Sequence, residues 1–545
     1  MSERKIRNPI IPGFYPDPSI CRVGEDFYMV CSSFEMYPGI PVFHSKDLAN
    51  WEQLGYAMHK ENGFHVEANI FAGGVMAPTI RYHEGLFYII NCNFCDNGNF
   101  IVTAENPAGP WSEPHWLSDV PGIDASIFFD EDGKTYIIGT GNVVERADGT
   151  MDRGIWVAEY DICNFKMVGK PTAIWDSALR NAASPEAPHI YKIGEYYYLV
   201  IAEGGTEHYH AVTVARSKEV LGWYEGNPAN PVMTHRQFGF NYPIANVGHA
   251  DLVDTPQGNW YAVLLASRTM EGIHKNLGRE TYICPIIWER GWPVFSPKSG
   301  KIDWEYPADP DLPWTEYGNN HLVRDDFDNE NLDFCWNFWG TPYVDFWKIS
   351  DSNLKLKCMG HSISAPLKPL QMDAPKVYDD CVSFVGRRQV HVDFEAGCAM
   401  KFMPEEKESA GMIVLQASNH QYRVERIQEE GKQLLRLVLV TAEFDRPAYL
   451  PGFTSVTHEQ VLSQVEWESE YIILKLVAKG QDYSFYYGNE SESMQVLYEH
   501  ADGKIINPEI IGGMVGTLLG MFASGNGIDS EKEASFDWFL YQGIE

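Results

Sequence analysis

Apolar and polar positions in the first half of the chain repeat one pattern five times. Each copy has a short polar or small head, an Ile or Leu, a turn containing Gly or Asp, and an aromatic-rich apolar run. The copies begin Asp17-Pro-Ser-Ile20, Ala77-Pro-Thr-Ile80, Asp124-Ala-Ser-Ile127, Ala187-Pro-His-Ile190 and His249-Ala-Asp-Leu252, and the runs contain Tyr28, Tyr88, Tyr136, Tyr198 and Tyr261. Turns such as Gly24-Glu-Asp26, Asp130-Glu-Asp-Gly133 and Gly194-Glu195 lie between head and run, so each copy predicts a β-hairpin. Starts at residues 17, 77, 124, 187 and 249 are 47 to 63 residues apart, room for four strands with their loops. That is the size of a propeller blade. Helical periodicity is scarce, and segments such as Tyr196-Tyr-Tyr-Leu-Val200 are dense in β-formers. The expectation is an all-β chain that opens with a five-bladed β-propeller.

The repeat stops after Arg279. Residues 297–320, with Pro307-Ala-Asp-Pro310 and Leu312-Pro-Trp314, read as an inter-domain linker. Beyond it, segments such as His391-Val-Asp-Phe394 and Tyr471-Ile-Ile-Leu-Lys475 alternate like strands of a β-sandwich. The expected domains are a propeller over 1–318 and a sandwich over 322–545.

Composition narrows the partners. With 545 residues, 44% hydrophobic, 13% aromatic and 21% charged, the chain can bury sizeable cores and is not a disordered composition. A formal charge of −33 argues against nucleic acid and anionic membranes, because both need a Lys/Arg face, and leaves neutral sugars unaffected. The N-terminal Met1-Ser-Glu-Arg-Lys-Ile-Arg-Asn-Pro9 lacks the apolar region of a signal peptide, and no run of 18 apolar residues occurs, so a cytoplasmic location is expected. The ten cysteines lack regular spacing and read as free, mostly buried thiols, including the lone Cys92-Asn-Phe-Cys95 pair.

Candidate chemistry follows from the repeat. In a propeller the first strand of each blade lines the central channel, so equivalent heads converge at one mouth. The heads bring Asp17, Asp124 and His249 there, with Glu186 one residue before the fourth head and Met76-Ala77 in the second copy. One Asp at a strand start is an ordinary turn residue. Three carboxyls at equivalent positions are not, because crowding raises at least one pKa and makes a proton donor available beside an ionised base. Acetal hydrolysis needs that pairing.

The motifs Asn8-Pro-Ile-Ile-Pro-Gly-Phe-Tyr-Pro-Asp-Pro-Ser-Ile20, Pro38-Gly-Ile-Pro-Val-Phe-His-Ser-Lys-Asp-Leu48 with Trp51, Ser184-Pro-Glu-Ala-Pro-His-Ile190, Ala202-Glu-Gly-Gly205, Gly248-His249 and Gly278-Arg-Glu-Thr281 resemble glycoside hydrolase family 43, in its β-xylosidase and α-L-arabinofuranosidase branch. The likeness runs from about residue 8 to 295, and Asp325-Asp-Phe327 resembles the opening of that branch's concanavalin-like sandwich. The resemblance implies Asp17 as the base that activates water, Glu186 as the general acid, Asp124 as the group that tunes and orients it, and Arg279 as a ligand of a carboxylate or sugar hydroxyl, a salt bridge between blades being the alternative. It implies Phe34 as a wall of the sugar subsite, ordinary core packing being the alternative. For His249 it leaves open a Ca2+ ion in the channel or a metal-free hydrogen bond; no cofactor is required. Two departures bear on the sugar: Met76 stands where xylosidases carry Trp, and Met514-Val-Gly-Thr-Leu-Leu-Gly520 stands where aromatic side chains project from the sandwich. The expected function is an inverting exo-glycosidase that releases xylose or arabinofuranose from short oligosaccharides, with the sandwich contributing to the pocket and a homo-oligomer left open. Alternatives are the same fold acting on another terminal sugar, a retaining fructan hydrolase, whose Arg-Asp-Pro motif is missing, and a non-catalytic sugar-binding propeller, which would have no reason to keep all three carboxyls.

Overall fold

Each sequence copy folds into its own antiparallel sheet. The first strands are Ser19–Val23, Thr79–His83, Ile123–Phe129, Glu186–Ile193 and Ile244–Asp254, and each is followed by its hairpin partner and two further strands. This computed structural model describes all residues except 1–3, 69–72, 95, 179–182, 318–322, 366–380, 406, 446–452, 512–513 and 545. The expected domain boundary at 318–322, and Cys95 of the CxxC pair, therefore lie outside the described residues. No disulfide forms among the described cysteines.

The first strand of each sheet packs against the first strands of its neighbours, and the fifth packs against the first, so the five sheets close a ring. Strand periodicity of two then sends residue i and residue i+2 of each first strand to the same side. The positions two after the heads are Ser19, Thr79, Ser126, His189 and Asp251, all buried. Here the sheets are tied together by charge. Arg81 of the second sheet grips Asp251 of the fifth through two hydrogen bonds of 2.8 and 3.0 Å. Ser19 of the first sheet donates to Asp251 at 2.6 Å, the Tyr191 hydroxyl of the fourth donates to the same carboxylate, and Arg81 also lies 3.1 Å from His189 Nδ1. Burial pushes the Asp251 carboxyl up, but Arg81, His189 and Ser19 together outweigh it and hold the group far below the usual carboxylate range.

The N-terminal segment seals the ring. Asn8 donates to the Ile283 carbonyl and accepts from the Ile283 N–H, each at 2.9 Å, and Lys5–Arg7 pairs with Glu305–Pro307. The second contact belongs to the segment 297–320 read as a linker, which is docked on the sheets over its described residues. Asp309 accepts from the side chains of Asn259 and Tyr261, and the Thr315 N–H donates to Asp47. The Pro and Asp residues there make turns that hold the segment against the sheets.

The second region is two facing sheets. One runs in the order Phe384–Arg388, Leu518–Ser524, Ser409–Ala417, His420–Glu429, Lys432–Phe444, Ser455–Glu466; the other centres on Phe394–Lys401, Tyr471–Lys479 and Glu533–Gly543. Alternation decides which side is buried: Leu354 and Leu356 are fully enclosed, while Lys355 and Lys357 point outward to Asp351 and Glu531. The apolar interior runs on without a break into the first and second sheets. Phe338–Trp339 also pairs with Met36–Tyr37, a short strand between the second and third strands of the first sheet, and buried Arg388 donates to the Phe14 carbonyl at 2.7 Å while lying over the Tyr15 ring.

Replacing Arg81 by Met strands the Asp251 charge inside the ring, and breaking a buried pair in this way costs about 3–5 kcal/mol. The urea midpoint of Arg81→Met should fall accordingly, and adding Asp251→Asn should recover part of the loss. A wild-type midpoint in the single variant would contradict the role given to the pair.

Candidate active site

Four of the five heads adopt left-handed backbone: Asp17 at φ 55°, Asp124 at 51°, Ala187 at 47° and His249 at 54°. This conformation costs an L residue about 1–2 kcal/mol. In the third, fourth and fifth sheets it coincides with a register shift in the hairpin, between Ile123 and Ser126, between Glu186 and His189, and on both sides of Gly248. A bulge of this kind turns side chains out of the pleat. Here it turns them towards the mouth of the ring while the residue two further on stays in the channel.

Asp17 is nearly enclosed. Its Oδ1 accepts from Arg279 Nη1 at 2.9 Å and lies 3.4 Å from His249 Nδ1, while Oδ2 accepts from the Ser32 hydroxyl at 2.6 Å. Burial pushes this carboxyl up, yet Arg279, His249 and Ser32 together hold it below its ordinary value. Burial keeps His249 itself below the usual imidazole range. Behind it, the His210 ring lies so close to Gly248 that a Cβ there would come within 2.4 Å, and His210 contacts the Asn246 carbonyl through Nδ1 at 2.9 Å. Burial drives His210 down to about 3.

Glu186 and Asp124 behave oppositely. Burial raises Glu186, and the negative charge of Asp17 adds to the rise; Arg153, whose Nη1 is 2.8 Å from Glu186 Oε1, works against it. Burial together with Glu186 and Asp17 raises Asp124 well above its ordinary value, although the Ala187 N–H donates to it. The same ring therefore holds one carboxyl that stays ionised and two that keep a proton to higher pH. That pairing suits general acid and base chemistry at a single bond.

Arg279 joins the sheets to the site. Its Nη1 also donates to Thr206 Oγ1 at 2.9 Å, its guanidinium lies 5.5 Å from the centre of the Phe34 ring, and its Nε and Nη2 are buried without a protein partner among the described residues. Phe34 is fully buried and packs in one apolar cluster with Phe14, Val515 and Leu518, against which Met76 and Met514 also rest. It is thus both core and neighbour of Arg279. Met76 reaches the ring through the second sheet: its N–H donates to the Cys92 carbonyl, and burial with the nearby Asp124 charge pushes the Cys92 thiol up to about 12. The segment Met514–Gly520 comes over from the sandwich. The Thr517 N–H donates to the Asn276 carbonyl, and Gly516 sits so close to Leu277 and Phe14 that a Cβ would have no room.

Few protein oxygens beside His249 are open to a calcium ion. Calcium takes six to eight oxygens, but the two carboxylates beside His249, Asp17 and Asp251, are each already held by a guanidinium. Among the described residues no group of three or more His, Cys, Asp or Glu is arranged to hold a metal.

The reading of the sequence missed Arg153, Thr206, Ser32, His210 and Arg81. Arg153 lies in the third strand of its sheet, opposite Asn142, outside any repeated position, and no sequence signal marks it. Thr206 and His210 bracket the Gly204-Gly-Thr-Glu-His-Tyr-His210 loop after a motif already singled out, so that loop could have been examined. Ser19 and Asp251 stand at the repeated position two after the head, a signal that was available.

Comparison with known proteins agrees with both halves. Residues 6–293 match "Glycosyl hydrolases family 43", and residues 324–542 match "Beta xylosidase C-terminal Concanavalin A-like domain". The chain is 40% identical to a xylosidase/arabinosidase of Butyrivibrio fibrisolvens over 98% of this chain and 99% of that one. It is 35% identical to a non-reducing end alpha-L-arabinofuranosidase of Bacteroides ovatus, over 100% and 96%. Among solved structures, a xylan beta-1,4-xylosidase from Bacillus halodurans superposes with a TM-score of 0.86 at 29% identity, covering 98% of this chain and 100% of that one.

Arg153 is the charge that opposes protonation of Glu186, so Arg153→Met should move the Glu186 titration to higher pH. Carbon-13 NMR of glutamate-labelled protein reads this without any substrate. A titration that stays in place or moves down would mean that the ion pair does not set the proton affinity of Glu186.

Proposed function

The chain belongs to glycosyl hydrolase family 43, and we propose that it is an inverting exo-glycosidase that releases a terminal xylose or arabinofuranose from short oligosaccharides. The observation that carries this reading is the opposite displacement of Asp17 and Glu186 within one ring. Asp17, kept ionised by Arg279, is the base that takes a proton from the attacking water. Glu186, whose proton affinity burial raises, gives its proton to the departing glycosidic oxygen. Asp124 shares the rise in proton affinity with Glu186 and holds it in orientation. The free N–H groups of Arg279 fit two oxygens of the bound sugar, in the fork geometry that guanidinium offers.

The names of the relatives support xylose or arabinofuranose as the released unit. Flexible methionines at Met76 and Met514 leave the subsite without a flat stacking plane on those sides, which favours tolerance of both pentoses. For the architecture, the closed ring of five sheets supports a five-bladed propeller over 1–318. The packing of Val515 and Leu518 against Phe34 supports a sandwich over 322–545 that closes one side of the pocket. No step passes through a metal or cofactor.

Aryl β-xyloside, α-arabinofuranoside and β-galactoside offered side by side test the sugar. Activity on neither pentoside would overturn the reading. Proton NMR of the first product tests the stereochemistry: a β-xyloside should release α-xylose before mutarotation mixes the anomers. If β-xylose forms first, Asp17 is a nucleophile.

Glu186→Gln should keep the fold and lose about 10²–10⁴-fold in kcat on xylobiose, while a substrate with an activated leaving group loses far less, because only a poor leaving group needs full protonation. Wild-type turnover of xylobiose by this variant would remove Glu186 from the acid role.

A further inference from the structure

We infer that Tyr209 and Phe240 form a stacking platform for the leaving-group saccharide, the sugar beyond the scissile bond. The inference rests on the glycosidase reading above. Both rings are unusually open for their size, Tyr209 being 61% and Phe240 55% exposed. His208 links them, stacked on Phe240 at 3.8 Å and 19° and meeting Tyr209 edge-on at 5.0 Å.

Their position relative to the site is fixed by their neighbours in the chain. Three residues before Tyr209, Thr206 accepts from Arg279; one residue after it, His210 packs on Gly248 beside the Asp17 and His249 contact. The loop continues from the strand Tyr196–Glu203, in which Ala202 is the register partner of Glu186. A general acid must face the glycosidic oxygen, so the leaving group lies on the Glu186 side of the reacting carbon. The loop leaves its strand two residues after that register partner, beside Glu186.

The rings are also held in place. Gly204 takes φ 91°, and a Cβ there would strike the Tyr209 carbonyl at 2.2 Å, so the loop folds tightly back on its own start. The Phe240 turn is braced by a Tyr242 N–H to Gly239 carbonyl bond and by Phe238 packed on Tyr242 at 4.6 Å. Exposed aromatics on a rigid support present an apolar face at little entropic cost on binding. A neutral saccharide is the occupant this surface suits: a second copy of a chain with a formal charge of −33 meets long-range repulsion that a sugar does not.

The test compares Tyr209→Ala/Phe240→Ala with wild type on xylotriose and on β-xylosyl fluoride, whose leaving group is a single atom. The value of kcat/KM should fall about tenfold on xylotriose and stay within twofold on the fluoride. An equal fall on both, no fall on xylotriose, or a change in the mass measured by light scattering would overturn the platform, the last pointing to a contact between copies. Calorimetry on the Glu186→Gln background, with xylotriose, arabinotriose and galactotriose as probes, separates this inference from the identity of the sugar. If wild type cleaves neither pentoside but one of these trisaccharides binds and is weakened by the double substitution, the platform stands and the pentose reading falls. If none binds, the platform falls.

Discussion

The buried pair of Arg81 and Asp251 is the contact on which the ring depends. Four of the five sheets meet in it, because Ser19, Tyr191 and His189 add their polar atoms to the same few ångströms. A carboxylate with no exposed surface is costly to desolvate, and only a bidentate guanidinium with further donors offsets that cost. The same arrangement decides what the channel can hold. A fixed cation already balances the carboxylate, so the channel is a structural plug and the chemistry is displaced one layer up, to the heads.

That upper layer repeats the arrangement with a different outcome. Arg279 neutralises Asp17 as Arg81 neutralises Asp251, but its Nε and Nη2 have no protein partner among the described residues. Buried donors without partners are uncommon in folded proteins, and at a pocket they are what a sugar's hydroxyls can use. Four heads are held in left-handed backbone without glycine to ease them. Glycine would relieve the strain and remove the side chain the site needs, and for Asp17, Asp124 and His249 the side chain prevails.

The sandwich is joined to the ring through main chain as well as side chain. Strand pairing between Phe338–Trp339 and Met36–Tyr37, the Arg388 bond to Phe14, and the Thr517 bond to Asn276 hold it on the side where Phe34 and Arg279 meet. Two of the apolar clusters are shared between the halves, so each completes part of the other's core.

Much was legible in the sequence because repetition converts spacing into geometry. Five heads at equivalent phase put Asp17, Asp124 and His249 in one ring, with Glu186 beside Ala187, before any coordinate was known, and alternation in the second half announced the sandwich. That the segment between the two halves docks on the sheets was not legible, because Pro and Asp are as common in turns that dock as in linkers that do not, and composition cannot tell whether a carboxylate such as Asp309 finds a partner. Arg153 could not be read at all. It reaches Glu186 of the next sheet from a third strand, and which side chain faces an acid in a neighbouring sheet is set by packing that no local pattern announces. The sequence by itself determined which residues recur at equivalent positions, since that is a property of order along the chain. Only the tertiary structure decided which carboxyl keeps its proton, because proton affinity depends on burial and on charges brought in from distant strands.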